Sequence, residues 1–257
     1  MNPGIHFSSS ARVTAPPEWV GGIADAGFDG WEVVAEGDYR LDEPAGRERV
    51  AGLVETTGLE ISVHAPYSDL NLASLNHPIL RETVRQVKAC IEAASEWTDR
   101  VVVHPGYLSP LGKLAPNRAW GVQKDALREI GRCAADHGVL ACLENMISIR
   151  EFLCRDPGEL LGMADGIEGV GVCFDLGHAN TVGVVRDFLA VLERADHLHL
   201  HDNHGASDEH LALGDGTVDW DTAGRAIRTS YSGIVVVEGR SLEEGRRSLG
   251  VIRGWTR

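Results

Sequence analysis

No hydrophobic run in the sequence approaches the roughly 20 residues that span a bilayer, so no membrane helix is expected. Residues 1–10 combine neither a basic segment nor an apolar one, so no secretory signal is expected. Cysteine is sparse. Cys90, Cys133, Cys142, Cys154 and Cys173 are odd in number and hold no Cys-x-x-Cys pair, so they read as reduced thiols of a cytoplasmic protein. Positive charge is also short, with 24 Lys+Arg against 38 Asp+Glu and a formal net charge of -14. Phosphate backbones are gripped by basic surface, so nucleic acid is a poor candidate partner. No Pro/Gly/Ser-rich linker, charge block or low-complexity tract divides the chain, and a single domain over residues 1–257 is expected.

What the chain does have is repetition. Short apolar, β-branched runs at 4–9, 30–34, 60–66, 100–106, 140–146, 171–178, 197–202 and 233–239 read as strands, several of them hydrophobic on both faces. Amphipathic stretches separate them. Leu80, Val84, Val87, Cys90 and Ile91 recur at helical spacing within 77–97, a second helix spans 117–137, and Asp156-Pro157 opens a third. Eight strands alternating with helices over about 250 residues predict an α/β fold, a (β/α)₈ barrel. A doubly wound sheet would carry a glycine-rich turn after its first strand, and Ser8-Ser9-Ser10-Ala11 is not one.

Position singles out the ionisable residues. Strand three ends in His64-Ala65-Pro66-Tyr67, strand four in His104-Pro105-Gly106, strand five in Glu144-Asn145 and strand six in Asp175-Leu176-Gly177-His178. Strand seven ends in His199-Leu200-His201-Asp202, before a loop with Asp208-Glu209-His210, and strand eight ends in Glu238-Gly239. One histidine at a strand end is usually hydrogen-bonded structure, and one carboxylate is usually a cap or turn residue. Six consecutive strands delivering such groups to the barrel rim predict a metal site instead, because crowded carboxylates repel unless cations hold them. Imidazoles with carboxylates suit Zn, Mn, Fe or Co better than Mg or Ca. Nine candidates exceed the four ligands zinc usually takes, so either several ions bind or some residues meet substrate. Spacing does not choose among His197, His199 and His201, which share one strand face. By the same alternation, Cys142 and Cys173 lie one layer below Glu144 and Asp175.

Three segments resemble the xylose isomerase-like barrels, a family of sugar isomerases, sugar epimerases and endonuclease IV. They are Val102-Val103-His104-Pro105-Gly106, Cys173-Phe174-Asp175-Leu176-Gly177-His178, and Asp208-Glu209-His210-Leu211-Ala212-Leu213-Gly214-Asp215-Gly216. The resemblance implies one divalent metal held by Glu144, Asp175, His199 and Glu238. Glu144 and Glu238 would also act as acid and base, epimerising a sugar or sugar phosphate through a metal-stabilised enediolate. His178 would then contact a substrate oxygen. The metal would be Zn or Mn, with Co or Mg as alternatives. The resemblance to endonuclease IV implies a second reading, in which His64, His104, His178, Asp208 and His210 join those four in holding up to three zinc ions for phosphodiester hydrolysis of abasic DNA. The net charge, the short connections after strands one and two, and the His199–Gly205 segment favour the sugar enzymes. Met146 stands where hydride-shift aldose isomerases carry lysine, which favours proton transfer.

Further residues are candidates for the rim. Tyr67 could bond substrate or a metal-bound water, and Arg240 could meet a phosphate. Trp31, beside Glu32 on strand two, could form an apolar wall for a sugar or pack beneath a helix. His6 could line the pocket or be structural. Asp202 could orient a ligating imidazole. The expected partner is a small-molecule sugar. The residues set no oligomeric state.

Overall fold

A computed structural model describes residues 4–255, so the first three residues of the 1–10 segment lie outside the description. Eight parallel strands close into a barrel in chain order: β1 Ile5–Ser8, β2 Gly30–Val34, β3 Glu60–His64, β4 Arg100–Val103, β5 Leu140–Glu144, β6 Val170–Asp175, β7 His197–Leu200 and β8 Val235–Glu238. β8 pairs back onto β1, with Ser8 beside Glu238. The helices are α1 Glu18–Ala26, α2 Pro44–Thr57, α3 His77–Ala94, α4 Pro110–Leu114, α5 Pro116–Asp136, α6 Pro157–Ala164, α7 Leu176–Val182, α8 Val185–Leu189, α9 Trp220–Ser230 and α10 Leu242–Gly254. No helix among the described residues is long and apolar enough to cross a membrane.

Local chemistry explains the element ends. Proline opens α2, α3, α5 and α6, where its missing N–H costs nothing. The Asp156 side chain caps α6 by accepting from Glu159 N at 3.0 Å. Strands three and four are shorter than the sequence predicts because Pro66 and Pro105 offer no ladder donor. Strand six also stops early. Asp175 accepts from His178 N at 2.7 Å and so caps α7, which moves His178 from a strand end to the first turn of a helix. Strand seven stops at Leu200, and Asp202 pairs instead with Leu211 across a single antiparallel bridge.

The core divides into two unequal parts. The large apolar cluster lies between the sheet and its jacket of helices and includes Phe7, Trp31, Ile91, Leu127, Leu143, Phe174 and Phe188. The separate apolar cluster of Val102, Cys142 and Cys173 is small. The neighbouring inward positions carry His6, Glu32, Ser62 and His197, all buried, where barrels of this class normally stack branched aliphatic residues. The sheet accommodates these bulky rings by omission. Gly30 lies beside His6, and a Cβ at position 30 would sit 2.4 Å from the imidazole.

Candidate metal centre

The C-terminal strand ends deliver all nine rim candidates to one place. Glu144, wholly buried at the end of β5, is the hub. Its Oε2 lies 2.9 Å from His104 Nε2 and 3.4 Å from His64 Nε2, and its Oε1 lies 2.8 Å from His199 Nδ1. The same His199 nitrogen is 3.5 Å from Glu238 Oε1 and 3.9 Å from Asp175 Oδ2. On the other side, His178 Nε2 is 3.6 Å from Asp208 Oδ2, which is 3.0 Å from His210 Nε2. His210 Nδ1 returns to Glu238 Oε2 at 3.7 Å and closes the ring of contacts.

Secondary contacts fix how the imidazoles face. His64 Nδ1 donates to the Ala65 carbonyl at 2.8 Å, and His178 Nδ1 donates to the Asn145 carbonyl at 2.8 Å. His64 therefore turns Nε2 toward Glu144, and His178 turns Nε2 toward Asp208. Asn145 also locks β5 to β6: its Oδ1 accepts from Asp175 N at 2.8 Å and its Nδ2 donates to Asp175 O at 2.9 Å. Gly177 allows α7 to approach β7, since a Cβ there would lie 2.1 Å from the His201 ring. His201 itself is buried, stacks on His210 with ring centroids 4.2 Å apart, and lies 3.2 Å from Asp175 Oδ1 and 3.3 Å from Asp208 Oδ1.

Electrostatics follow from this crowding. Burial would raise the Glu144 carboxyl, but the charge of His199 and hydrogen bonds from His104, His199 and His64 hold it well below the usual carboxylate range. Asp208 is likewise held low, against burial, by His178 and His210. Burial opposes the charged imidazoles, yet Asp175 and Asp208 push His178 well up and His201 up to about 9. Tyr67 is pushed up to about 12 by burial and by the charges of Glu238 and Glu36.

This donor set fits a divalent cation. Asp175 Oδ2 and Asp208 Oδ1 are buried with no hydrogen-bond partner. Several groups could each hold an ion, with ligand atoms within 4.8 Å of one another, among them His64, His104 and Glu144; Glu144, Asp175 and His178; Glu144, Cys173 and His199; His178, His201, Asp208 and His210; and, one layer below, Glu32, His197 and His199. Above them lies a cavity of about 230 Å³, walled on its apolar side by Val34, Met146, Ile147 and Phe152. Tyr67 lines it too, its ring stacked on His104 with centroids 4.6 Å apart.

Other candidates lie elsewhere. Arg240 is exposed, precedes α10 and engages Glu244 in that helix's first turn. Trp31 is 2% exposed and packs edge-on against Trp19 and Tyr39, so it lies beneath a helix and forms no wall of the cavity. His6 is buried at the start of β1 with its Nδ1 3.0 Å from Ser62 Oγ, a structural place. Asp202 orients no imidazole. Its carboxylate accepts from Gly214 N at 2.9 Å, Val218 N at 3.2 Å and Trp220 Nε1 at 2.8 Å, and so shapes the loop that carries Asp208 and His210. Sequence reasoning gave no role to Glu32. Its signal was a lone carboxylate at an inward position of an otherwise apolar strand.

Three comparisons relate the chain to known proteins. The model of the xylose isomerase-like TIM barrel family matches residues 21–254. The chain is 34% identical over 239 residues to the uncharacterised protein MJ1311 of Methanocaldococcus jannaschii, covering 90% of this chain and 81% of that one. A D-tagatose 3-epimerase-like protein of known structure superposes with a TM-score of 0.90 at 32% identity, over 98% of this chain and 97% of that one. Endonuclease IV from Thermus thermophilus shares the fold, with a TM-score of 0.70 at 24% identity over 99% of both chains.

Proposed function

The chain belongs to the xylose isomerase-like TIM barrel family, and we propose that it is a divalent-metal-dependent isomerase or epimerase of a small sugar or sugar phosphate. Glu144, Asp175, His199 and Glu238 would hold the ion, zinc or manganese. The observation that carries this reading is the convergence of Glu144 and Glu238 on one His199 nitrogen, at 2.8 and 3.5 Å, beneath a cavity of about 230 Å³. Drug-sized ligands occupy pockets of about 300–1,000 Å³, so this one suits a monosaccharide.

The chemistry is proton transfer. One glutamate removes the proton from the carbon beside the sugar carbonyl, and the other delivers a proton to the opposite face or to the neighbouring carbon. The bound ion supplies charge stabilisation to the oxygens of the carbonyl and its neighbour. Tyr67 and His178 line the same cavity and would hold substrate hydroxyls. Among the described residues no lysine lines the cavity, which supports proton transfer rather than hydride shift.

The test is deuterium exchange. Metal-loaded protein incubated with a panel of ketoses in D₂O should label the carbon beside the carbonyl of the true substrate. Glu144→Gln and Glu238→Gln should each slow that exchange about 10²–10⁴-fold. Undiminished exchange in both variants would sink the mechanism.

A second reading has its own observation. The His64–His104–Glu144 and His178–His201–Asp208–His210 groups offer further ion positions beside the first, as a multinuclear zinc phosphodiesterase acting on abasic DNA requires. Fully metallated protein that leaves an abasic duplex uncut at low salt would exclude it.

A further inference from the structure

Below the rim, the barrel interior holds a carboxylate that proton transfer leaves unused. Glu32 on β2 is wholly buried. Its Oε2 lies 2.8 Å from His197 Nε2 and accepts from Ser62 Oγ at 3.0 Å. Its Oε1 lies 3.0 Å from His199 Nε2 as an ion-pair contact, and neither of those two buried atoms has a hydrogen-bond partner. The His199 ring therefore spans two layers. Nε2 points down to Glu32, while Nδ1 points up to Glu144, Glu238 and Asp175.

An imidazole ligates a cation only through the nitrogen that lacks a proton. An ionised carboxylate accepts and cannot donate, so Glu32 is satisfied only when Nε2 of His199 carries the proton, which leaves Nδ1, 2.8 Å from Glu144 Oε1, as the nitrogen whose proton a rim ion would displace. Packing alone gives no reason for a charge here, because isolating a carboxylate from water costs several kcal/mol and a hydrophobic residue of similar volume would fill the space. His197 makes the same demand on the other oxygen. A carboxylate meets both demands, whereas a carboxamide has only one accepting atom and would force one ring to reverse its tautomer.

We propose that Glu32 is a positioning residue that fixes His199 in its Nε2–H form, so that Nδ1 is presented to the rim as a metal ligand. This rests on the metal site proposed above. The two ideas fail differently in the following experiment.

Zinc and manganese affinities of wild-type and Glu32→Gln protein are measured by competition with a chromophoric chelator, alongside elemental analysis. The substitution is close to isosteric and should weaken the rim ion about 10–100-fold, the usual effect of removing an outer partner of a ligating histidine. Unchanged affinity in a folded variant overturns the role of Glu32 alone. Loss of one whole equivalent with the remaining ions held as tightly as before also overturns it, since Glu32 would then be a ligand itself. A wild-type protein that binds no divalent ion overturns the metal site and this inference together. Where the variant fails to fold, the wild type still decides. Long-range ¹H–¹⁵N spectra of the zinc-loaded protein, assigned with His197→Asn and His201→Asn, should show His199 protonated at Nε2 and metal-shifted at Nδ1. A proton on Nδ1 refutes the proposal.

Discussion

Replacing Glu144 with glutamine tests the metal centre at its hub. The Glu144 carboxylate is shared by His104 and His64 on one oxygen and by His199 on the other. Three of the possible ion positions use it, and their ligand atoms lie within 4.8 Å of one another, so an ion among them is closer than that to the carboxylate. At an effective dielectric of about 20, a unit charge at that distance contributes about 3.5 kcal/mol, and a dication about 7 kcal/mol. Glutamine keeps an oxygen donor, and its neutrality relieves repulsion from Asp175 and Glu238. Halving the figure for these offsets leaves about 3.5 kcal/mol, a loss of roughly 300-fold in affinity. Chelator competition reads this directly. Elemental analysis should show the rim ion depleted in the variant. A folded variant that holds metal as tightly as the wild type would refute the assignment of Glu144 as hub.

The remaining predictions concern the loop and the protons. Asp202→Asn keeps only one of the two accepting oxygens, so it leaves either Gly214 N and Trp220 Nε1 or Val218 N and Asn203 N without an acceptor, and should cost about 3 kcal/mol, a fall in Tm of about 6–12 °C. Hydrogen exchange should quicken in the loop around Asp208, and an unmoved Tm would contradict the role given to Asp202. In the metal-free protein, burial lowers His178 and His201, but Asp175 and Asp208 outweigh it and raise both. Groups raised by folding stabilise the protein fully below their unfolded value near 6.5 and lose that contribution as pH rises through the folded value. Urea unfolding of metal-free protein should therefore show stability falling between about pH 6.5 and about 9. Saturating zinc, which displaces those protons, should abolish or reverse the slope, and a metal-free protein whose stability rises across that window would refute the assignment.

The barrel was legible because its signals are local. Each strand is a short β-branched run, and each helix carries its own caps and period, so count and order follow from windows of the sequence. The ends were less so. Whether Asp175 extends a strand or caps a helix depends on its side chain reaching His178 N, and that was written as the three-residue spacing in Asp175-Leu176-Gly177-His178. The rim residues stood out because each follows a hydrophobic run and topology brings such positions to one face. Glu32 did not. Its partner His197 is 165 residues away, and only closure of the barrel brings them together. Asp202 misled for a related reason: a carboxylate next to His201 suggests an imidazole partner, but its acceptors are spent on Gly214, Val218 and Trp220.

The division of the core separates stability from chemistry, and that separation can be measured. Phe7, Trp31, Phe174, Phe188 and their neighbours bury their surface between sheet and helices, while Glu32, His197 and Ser62 occupy the interior without adding to that cluster. A buried ionic pair replaced by apolar residues of similar volume is often neutral or stabilising by about 1–4 kcal/mol. The Glu32→Leu/His197→Leu double substitution would gain on that account, and would lose about 1–3 kcal/mol by removing the carboxylate that faces buried His199 Nε2. The two roughly cancel, so denaturant unfolding of the metal-free double variant should match the wild type closely. Its metal affinity should fall as far as that of Glu32→Gln. A barrel that instead lost several kcal/mol would show that the interior polar network holds the strands together, and the outer core alone would no longer account for the stability of the fold.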